Sequence, residues 1–305
     1  MVVGSINMDV TLYLDRWPEV GETISAVSSA ISLGGKGANQ AIASARLGAR
    51  VSMLGALGDD AFGAQATEEL LDASIALQAE RFPDTPTGIA CIDVGPDGRN
   101  MIRLLPGANA ELTDQIVQSQ ASLFGDCKVL LLQNEIPLRA SLAAAEAARQ
   151  AGAVVIMDPA PVPDPPWGTD TFAAFDIITP NLQEAQGLLG QGSNSSPEPE
   201  MAAVSLARLC ARGAVVTMGD QGVVWCIDGQ VGRIPAPSVD AIDTVAAGDC
   251  FNGALAVALA RGKPVADAIS FAVTAGALAT TRRGASASLP TLDQVMAFQT
   301  SLTSS

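Results

Sequence analysis

Short apolar runs alternate along this chain with alanine-rich amphipathic stretches, and this alternation constrains the fold more than any other feature of the sequence. The candidate strands are 51–56, 129–133, 154–158, 177–179, 215–218 and 222–227. The candidate helices are 37–47, 64–71, 138–151, 181–189, 202–211, 247–260 and 265–280. Strands that alternate with helices predict βαβ units and a parallel sheet covered on both faces. Aromatic residues form only 4% of the chain, so the core must be aliphatic, as strands buried on both faces require.

Two segments, 10–33 and 87–105, interrupt this rhythm. Both contain alternating apolar and polar residues with turn signals such as the run GPDG at 95–98, which is typical of short hairpin strands. We expect the two segments to form together a small β-sheet lid beside the main sheet. The sequence therefore predicts one α/β domain over residues 1–305, with three α-β-α layers, a mostly parallel central sheet and this lid. The polar segment 190–199 is predicted to be a mobile loop.

Charge and residue usage exclude several classes of function. The 32 acidic residues outnumber the 17 basic ones and give a net charge of −15, which would repel a nucleic-acid backbone. The chain contains no histidine, so Ser-His-Asp hydrolysis and histidine-ligated metals are excluded. The five cysteines form no CxxC pair and indicate free thiols in a reducing compartment. Because no signal peptide and no membrane-spanning apolar run are apparent, we expect a cytoplasmic protein without a membrane partner.

A run of small residues opens the predicted helix 247–260. Residues 243–249 read DTVAAGD, and such small side chains let backbone N–H groups converge on an anion at a helix N-terminus. Asp249 lies in the first turn, where its carboxylate could accept a proton from a substrate hydroxyl. Taken alone, the segment also fits an aspartate that caps an alanine-rich helix.

Two further segments offer polar side chains near the starts or ends of predicted elements. Residues 34–40 read GGKGANQ, and their glycines permit a ligand to approach the backbone while Lys36 and Asn39 bond to hydroxyls. A tight turn is the alternative. Asn7 and Asp9 follow the first strand and point the same way on extended backbone. They could hold sugar hydroxyls, or form an Asx turn.

The fourth segment begins the predicted helix 181–189. Asn181 and Glu184 are three residues apart and share one face of this helix start. Glu184 could hold a hydrated Mg²⁺ near triphosphate oxygens, because Mg²⁺ keeps several of its waters. The same pair could equally form a capping box.

In their order and spacing, the four segments together resemble the ribokinase branch of the phosphofructokinase-B carbohydrate kinase family. The resemblance extends from Gly4 to Pro290. Segment 34–40 is similar to the first signature of that family. Segment 243–249 is similar to the second, in the form with two alanines before Gly-Asp. Independent caps and turns would not fall in this order, so the resemblance favours the functional interpretation of each segment.

The resemblance also implies a role for each position. The sugar would be bound by Asn7, Asp9, Gly35, Lys36, Gly37, Asn39, Glu135 and Asp249. Asp249 would be the base, and the anion hole would be formed by Ala246, Ala247 and Gly248. ATP would be held by Asn181, Thr217, Gly219, Asp220, Gly222 and Gly248. Glu184 would belong to the water network of Mg²⁺. A K⁺ ion would be bound by Asp243, Val245, Ala279, Arg282, Gly284 and Ser288.

These residues favour transfer of the γ-phosphoryl group of ATP to a small polyhydroxylated sugar, with D-ribose phosphorylated at O5 as the preferred substrate. Aromatic residues are scarce in the lid segments, although a nucleoside would need such a platform. Deoxyribose, fructose and a nucleoside are the alternative substrates. A non-catalytic sugar-binding protein with the same fold is the alternative of another class. Lids of this branch often pair between subunits, so the resemblance also implies a homodimer through the lid.

Overall fold

A computed structural model describes residues 1–190 and 198–303. The strands are β1 (Val2–Val3), β2 (Asn7–Tyr13), β3 (Ser28–Gly34), β4 (Ser52–Gly58), β5 (Ala76–Phe82), β6 (Gly88–Val94), β7 (Asn100–Leu105), β8 (Val129–Gln133), β9 (Val154–Asp158), β10 (Ile177–Ile178), β11 (Gly213–Thr217), β12 (Val223–Ile227) and β13 (Gln230–Ile234). The helices are α1 (Lys36–Arg46), α2 (Ala61–Asp72), α3 (Asp114–Ser119), α4 (Leu138–Gln150), α5 (Thr169–Ala173), α6 (Leu182–Leu188), α7 (Pro199–Ala207), α8 (Ala247–Ala260), α9 (Val265–Ala279) and α10 (Leu292–Thr303).

The central sheet has the strand order β13-β12-β11-β10-β9-β8-β1-β4-β5. Neighbours from β11 to β5 are parallel, and β12 and β13 are added antiparallel at one edge. Its side chains alternate between two hydrophobic clusters, so that on β8 Leu131 packs with α1, α8 and α9, whereas Leu130 and Leu132 pack with α4 and α7. The predicted three-layer α-β-α fold with a mostly parallel sheet is confirmed.

A second, smaller sheet of four strands lies beside the first, in the order β3-β2-β6-β7. We call these four strands the lid. These strands correspond to the predicted segments 10–33 and 87–105. Two bounds differ, because β2 begins earlier, at Asn7, and β3 continues to Gly34. Residues 14–27 between β2 and β3 form no strand, because this connection contains Pro18 and Gly21, which interrupt a ladder.

The predicted helix 202–211 is wrong at its end. Helix α7 begins earlier, at Pro199, which has no N–H to leave unpaired in a first turn. It ends at Ala207, and the N–H of Ala211 instead donates to the carbonyl of Phe175, which leads the chain into β11. The predicted loop 190–199 falls mostly on residues 191–197, which lie outside the described part of the chain.

Within residues 1–190 and 198–303, every helix is too short or too polar to span a lipid bilayer.

Candidate active site

The candidate site lies where the carboxyl ends of β1, β8 and β9 meet the base of the lid. Parallel strands present their carboxyl ends at one edge of the sheet, which is the usual ligand-binding edge of such folds. Gln133 and Asp158 are the last residues of β8 and β9 and stand side by side in the ladder. Helix α1 starts directly after β3, and its first turns pass beneath this edge.

Asp249 lies in the first turn of α8, and its side chain is buried at 5% exposure. One carboxylate oxygen accepts a hydrogen bond from Asn39 Nδ2 at 3.0 Å, and the other accepts one from Gln40 Nε2 at 3.1 Å. Burial raises the pKa of Asp249 to about 7; the positive charge of Lys36 opposes this shift and the negative charge of Asp158 adds to it. Asp249 is therefore a carboxylate able to take up a proton near neutral pH, as a general base must.

Helix α8 starts from a strained backbone. Ala246 precedes the helix with φ of 59°, in the left-handed region, which costs on the order of 1–3 kcal/mol and persists mainly at functional sites. Ala247 N–H donates to Thr244 at 3.3 Å. Gly248 is exposed, and a Cβ added there would meet no atom within 4 Å. The first turn of α8 therefore faces open space beside Asp249, which suits an anion.

A buried polar network that sequence reasoning missed connects Asp249 to α1. Lys36 Nζ lies 3.2 Å from Asp158, with the Lys36 side chain 28% exposed. Gln40 Nε2 donates to Asp158 at 3.0 Å as well as to Asp249, and Gln40 Oε1 accepts from Gln133 at 2.7 Å. The signal for Gln133 and Asp158 was present, since each is a polar residue that ends a buried apolar strand.

Lys36 is held in its charged form. Burial alone would lower the pKa of its amine, but the negative charges around it outweigh burial and raise this pKa. These charges belong to Asp158, Asp249, Glu135 and Glu184. The ammonium group of Lys36 therefore contacts Asp158 and lies within electrostatic range of three further carboxylates.

The lid base carries the predicted sugar-binding residues Asn7 and Asp9, on one face of β2. Burial raises the pKa of Asp9 to about 7, and the negative charges of Glu135 and Asp249 raise it further. A Cβ at Gly34 would lie 2.1 Å from the Asp9 carboxylate, so any larger residue there would displace this carboxylate. Asp9 therefore lies close enough to Glu135 and Asp249 for their charges to act on it, and Asn7 shares its face of β2.

Two observations place the start of α1 against Glu135 and the backbone of residues 5–7. Glu135 accepts hydrogen bonds from Ser5 Oγ at 2.6 Å and from the Lys36 N–H at 3.1 Å. A Cβ at Gly35, where φ is 86°, would lie 2.8 Å from Asn7 N, and one at Gly37 would lie 2.6 Å from Ser5 N. The two glycines therefore let helix α1 touch the backbone of the segment before β2.

The side-chain oxygen of Asn39 lacks a hydrogen-bond donor among the described residues. Asn39 Nδ2 donates to Asp249 at 3.0 Å, but Asn39 Oδ1 is buried and accepts no hydrogen bond from the described residues. A buried polar atom without a partner is costly. A ligand hydroxyl that donates to Asn39 Oδ1 would remove this cost.

The predicted nucleotide residues lie along the next part of the same edge. Asn181 and Glu184 form a complete capping box at the start of α6, with bonds of 2.9 and 2.8 Å. Asn181 also bridges to Thr217 at the end of β11. Thr179 Oγ1 donates to Asn252 on α8 at 2.7 Å, which connects this region to the helix of Asp249.

The loop after β11 is open at one side. Gly219, with φ of 59°, and Asp220 are exposed, and a Cβ at Gly219 would meet no atom within 4 Å. Gly222 is different, because a Cβ there would lie 2.1 Å from Ile234 O. Gly222 therefore packs the loop on β13, whereas Gly219 and Asp220 face free space.

The predicted K⁺ residues surround a loop that follows α9. Asp243 accepts hydrogen bonds from the N–H groups of Val245 at 3.0 Å and Gly284 at 2.9 Å. Arg282 N–H donates to Ala279 O at 3.4 Å, and Ser288 Oγ donates to Ala285 O at 2.9 Å. Arg46, in the last turn of α1, donates to the carbonyls of Ser286 at 2.8 Å and Leu289 at 2.7 Å. The loop is thus fixed to both Asp243 and α1.

Across residues 1–190 and 198–303, no group of three or more acidic or cysteine side chains is arranged to hold a metal ion. Any divalent cation would therefore need water and ligand oxygens in addition to protein oxygens.

Comparison with known proteins yields many full-length relatives. Over 97% of this chain and 96% of the relative, the sequence is 35% identical to the ribokinase of Schizosaccharomyces pombe. It is 33% identical to the deoxyribokinase of Salmonella typhi, covering 96% of each. The structure matches that of Arabidopsis thaliana ribokinase complexed with ribose and ATP with a TM-score of 0.89 and 32% identity, over 97% of each chain. Residues 1–292 match the model of the pfkB family carbohydrate kinases. The chain belongs to the pfkB family of carbohydrate kinases.

Proposed function

We propose that this chain transfers the γ-phosphoryl group of ATP to O5 of D-ribose, with Asp249 as the general base. The observation that carries the proposal is the position of Asp249, buried at the open start of α8 and held by Asn39 and Gln40. The relatives named ribokinase, and the Arabidopsis structure with ribose and ATP, support this substrate pair.

Phosphoryl transfer requires positioning and charge stabilisation more than covalent chemistry. Asn7, Asp9, Lys36, Asn39 and Glu135 would hold the sugar, with Gly35 and Gly37 giving room for the contact. Asp249 takes the proton of the attacking hydroxyl at its carboxylate. The first turn of α8, from Ala246, Ala247 and Gly248, stabilises the negative charge of the transferred group. The lid excludes water that would compete as acceptor.

ATP would lie along Asn181, Thr217 and the open loop with Gly219, Asp220 and Gly222, and reach Gly248. Glu184 would hold a hydrated Mg²⁺, which neutralises phosphate charge when bound. The chemistry of Glu184 fits a hydrated Mg²⁺. Its carboxylate uses one oxygen to accept a hydrogen bond from the Asn181 N–H, and the charges of Lys36 and Asp158 act on it. Burial is the main reason that the pKa of Glu184 is raised, and a nearby cation would oppose this.

A monovalent cation would be held by the loop after α9. Asp243, the carbonyls of Val245, Ala279, Arg282 and Gly284, and Ser288 offer oxygen ligands only, which suit a hard cation such as K⁺. The two hydrogen bonds to Asp243 bring three of these residues together. Bound K⁺ would stabilise the segment 243–249 from which the anion hole is built.

Replacing K⁺ in the assay buffer with tetramethylammonium is expected to lower kcat/KM for ribose severalfold, because a large cation without coordinating capacity cannot order this loop. Activity is measured by coupled ADP release at constant ionic strength. Adding back K⁺ serves as the control and should restore the rate. Equal rates with both cations would contradict the proposed K⁺ site.

Activity is also expected to fall on the acid side of about pH 7. Asp249 must be deprotonated to act as base, and burial raises its pKa to about 7. Asp9 has a pKa raised to about the same value, so both carboxylates gain protons together. We expect kcat/KM to rise with pH up to about 7 and then to level off, since this parameter reports the free enzyme. A profile that stays flat down to about pH 5, as for an ordinary carboxylate, would contradict this.

The substrate is tested by ADP release over a panel of ribose, 2-deoxyribose, fructose and adenosine. Ribose is expected to give the highest kcat/KM, with ribose 5-phosphate as product. A preference for 2-deoxyribose would favour the alternative that the Salmonella deoxyribokinase suggests. Thermal stabilisation by ribose without ADP release would favour a non-catalytic sugar-binding protein.

We also propose that the protein is cytoplasmic and forms a homodimer through the lid. All five cysteines are free, which supports a reducing compartment. The lid exposes large apolar side chains, at Ile31, Met101, Ile102, Leu104 and Leu105. Large apolar side chains exposed on such a small sheet favour an interface with another protein surface.

A further inference from the structure

The side chain of Asn109 connects the base of the lid to the body of the protein. It lies in a 3₁₀ helix just after β7 and is 1% exposed. Its Oδ1 accepts from Ile6 N at 2.9 Å. Its Nδ2 faces three oxygens: Ile6 O at 3.0 Å, Asn7 Oδ1 at 2.8 Å and Pro106 O at 3.0 Å. One buried amide thus contacts both the start of β2 and the end of β7.

The backbone fixes which way the Asn109 amide is turned. Ile6 N–H can only donate, and the carbonyls of Ile6 and Pro106 can only accept. The oxygen of Asn109 must therefore face Ile6 N–H, and its NH₂ group must face Asn7. Asn7 in turn must present its own oxygen to Asn109. The Asn7 NH₂ group is then directed to the other side of the amide, away from Asn109.

The space around this amide pair is closed. A Cβ at Gly88, the first residue of β6, would lie 2.1 Å from Asn7 Oδ1 and 2.4 Å from Asn109 Nδ2. Asn7 itself is 2% exposed. Turning the Asn109 amide by half a revolution would break its hydrogen bonds to Ile6 and Pro106, and turning the Asn7 amide alone would set its NH₂ group against that of Asn109. The orientation of Asn7 is therefore set before any ligand arrives.

We infer that Asn109 is a positioning residue for the sugar: it holds Asn7 so that Asn7 offers N–H donors to a sugar hydroxyl. This inference rests on the proposed function, in which Asn7 binds the sugar. Asn7 then contributes donors while Asp9, two residues along the same face of β2, contributes acceptors. The site thereby recognises one hydroxyl as an acceptor and another as a donor, which is the pattern of a polyhydroxylated sugar rather than an ether or a deoxygenated position.

A double-mutant cycle with Asn109→Ala and Asn7→Ala tests the inference. Asn109→Ala alone is expected to raise the ribose KM, and the ribose Kd measured by calorimetry, about tenfold, since it releases one hydrogen-bonding group in the site. The ATP KM should stay unchanged. In the Asn7→Ala background, Asn109→Ala should change the ribose Kd by less than about twofold, because no amide remains to be oriented. If the fold-increases in ribose Kd of the two single variants multiply in the double variant, the two residues act independently and the inference is overturned.

Thr87→Val is the matched control at the base of the lid. Thr87 is fully buried, precedes Gly88 and bonds to Gly58 N–H and Asp60, but among the described residues no hydrogen bond joins it to Asn7. This variant should lower the unfolding temperature and leave the ribose Kd as in the wild type. A tenfold rise in the ribose Kd of Thr87→Val would mean that loss of any hydrogen bond at the base of the lid weakens sugar binding, which also overturns the inference.

A second substitution at Asn109 keeps the inference testable in case Asn109→Ala does not fold. If Asn109→Ala does not fold, Asn109→Asp keeps the shape and the acceptor for Ile6 N–H but loses the donor to Asn7, and the same rise in ribose Kd is expected. An unchanged Kd in a folded Asn109→Asp overturns the inference. A wild-type protein that neither binds nor phosphorylates ribose would instead remove the proposed function, so the two failures are distinct.

Discussion

Asp249→Asn is expected to lower kcat by roughly 10²–10⁴-fold, the usual span for loss of a general base, and at the same time to make the protein more stable. The stability gain follows from burial, which raises the pKa of Asp249 from 3.8 to about 7. At neutral and alkaline pH the folded protein must hold this carboxylate charged. By linkage, such a shift corresponds to up to about 4 kcal/mol. Asparagine carries no charge, so the cost is removed.

The hydrogen bonds of the site can accommodate the new amide. Gln40 Nε2 can still donate to an oxygen at position 249. Asn39 can turn its amide so that Oδ1, which lacks a partner among the described residues, accepts from the new NH₂ group. The sign of the pH dependence is defined, because a raised carboxylate pKa means that the folded wild type loses stability as pH rises from about 4 to about 7.

The gain of Asp249→Asn in free energy of unfolding should therefore be largest at about pH 8 and small at about pH 4, where both states are protonated. Denaturant unfolding at several pH values measures it. Asp267→Asn is the matched control, since Asp267 is exposed in the first turn of α9. This substitution should change the free energy of unfolding by less than about 0.5 kcal/mol and leave activity unchanged. Near-normal turnover of Asp249→Asn would remove Asp249 from its proposed role.

Gly37→Ala is expected to destabilise the protein strongly and to abolish sugar binding. A Cβ at this position would lie 2.6 Å from Ser5 N and 2.7 Å from both Gly4 C and Ser5 O. These are backbone atoms, so no side chain can move aside. Alanine would favour the helix by about 1 kcal/mol, but overpacking costs about 3 kcal/mol when the neighbours cannot relax. The clash outweighs the helix propensity, and we expect a net loss of about 2 kcal/mol.

The shift of α1 would also displace Lys36 and Asn39 from the sugar. Thermal unfolding and ribose calorimetry measure the two effects. Gly248→Ala is the matched control for stability, because it adds the same methyl group to the first turn of another helix, α8, where no atom lies within 4 Å. It should be as stable as the wild type or slightly more so. Equal stability of Gly37→Ala and the wild type would contradict the close contact between α1 and the segment before β2.

The central part of the fold could be predicted from sequence because its strands are buried on both faces. Runs such as Val129–Gln133 and Val154–Asp158 are apolar up to a polar last residue and have the bounds that the pattern predicts. The strands that were not predicted, β5 and β13, are the two edges of the sheet. Edge strands carry charged and polar side chains as a protection against pairing with other chains, so they lack the apolar run by which strands are recognised.

The candidate site could be predicted only in part, for a different reason. Asn7, Lys36, Asn39 and Asp249 stand in short motifs whose residue types and spacing indicate ligand binding. The roles of Gln40 and Asn109 can be recognised only from the residues that they contact. Gln40 is 209 residues from Asp249, and Asn109 is 102 residues from Asn7. A buried amide in one sequence gives no indication of which distant group it will contact.

Helix α1 has a different chemistry at each of its ends. Its first turn carries Lys36 and Asn39, and its last turn carries Arg46, which grips the carbonyls of the loop after α9. Eleven helical residues form a stiff rod of about 16 Å. A cation bound to that loop, as proposed above, would therefore act on the far end of this helix, and the proposed sugar-binding residues of its first turn would move together rather than one by one.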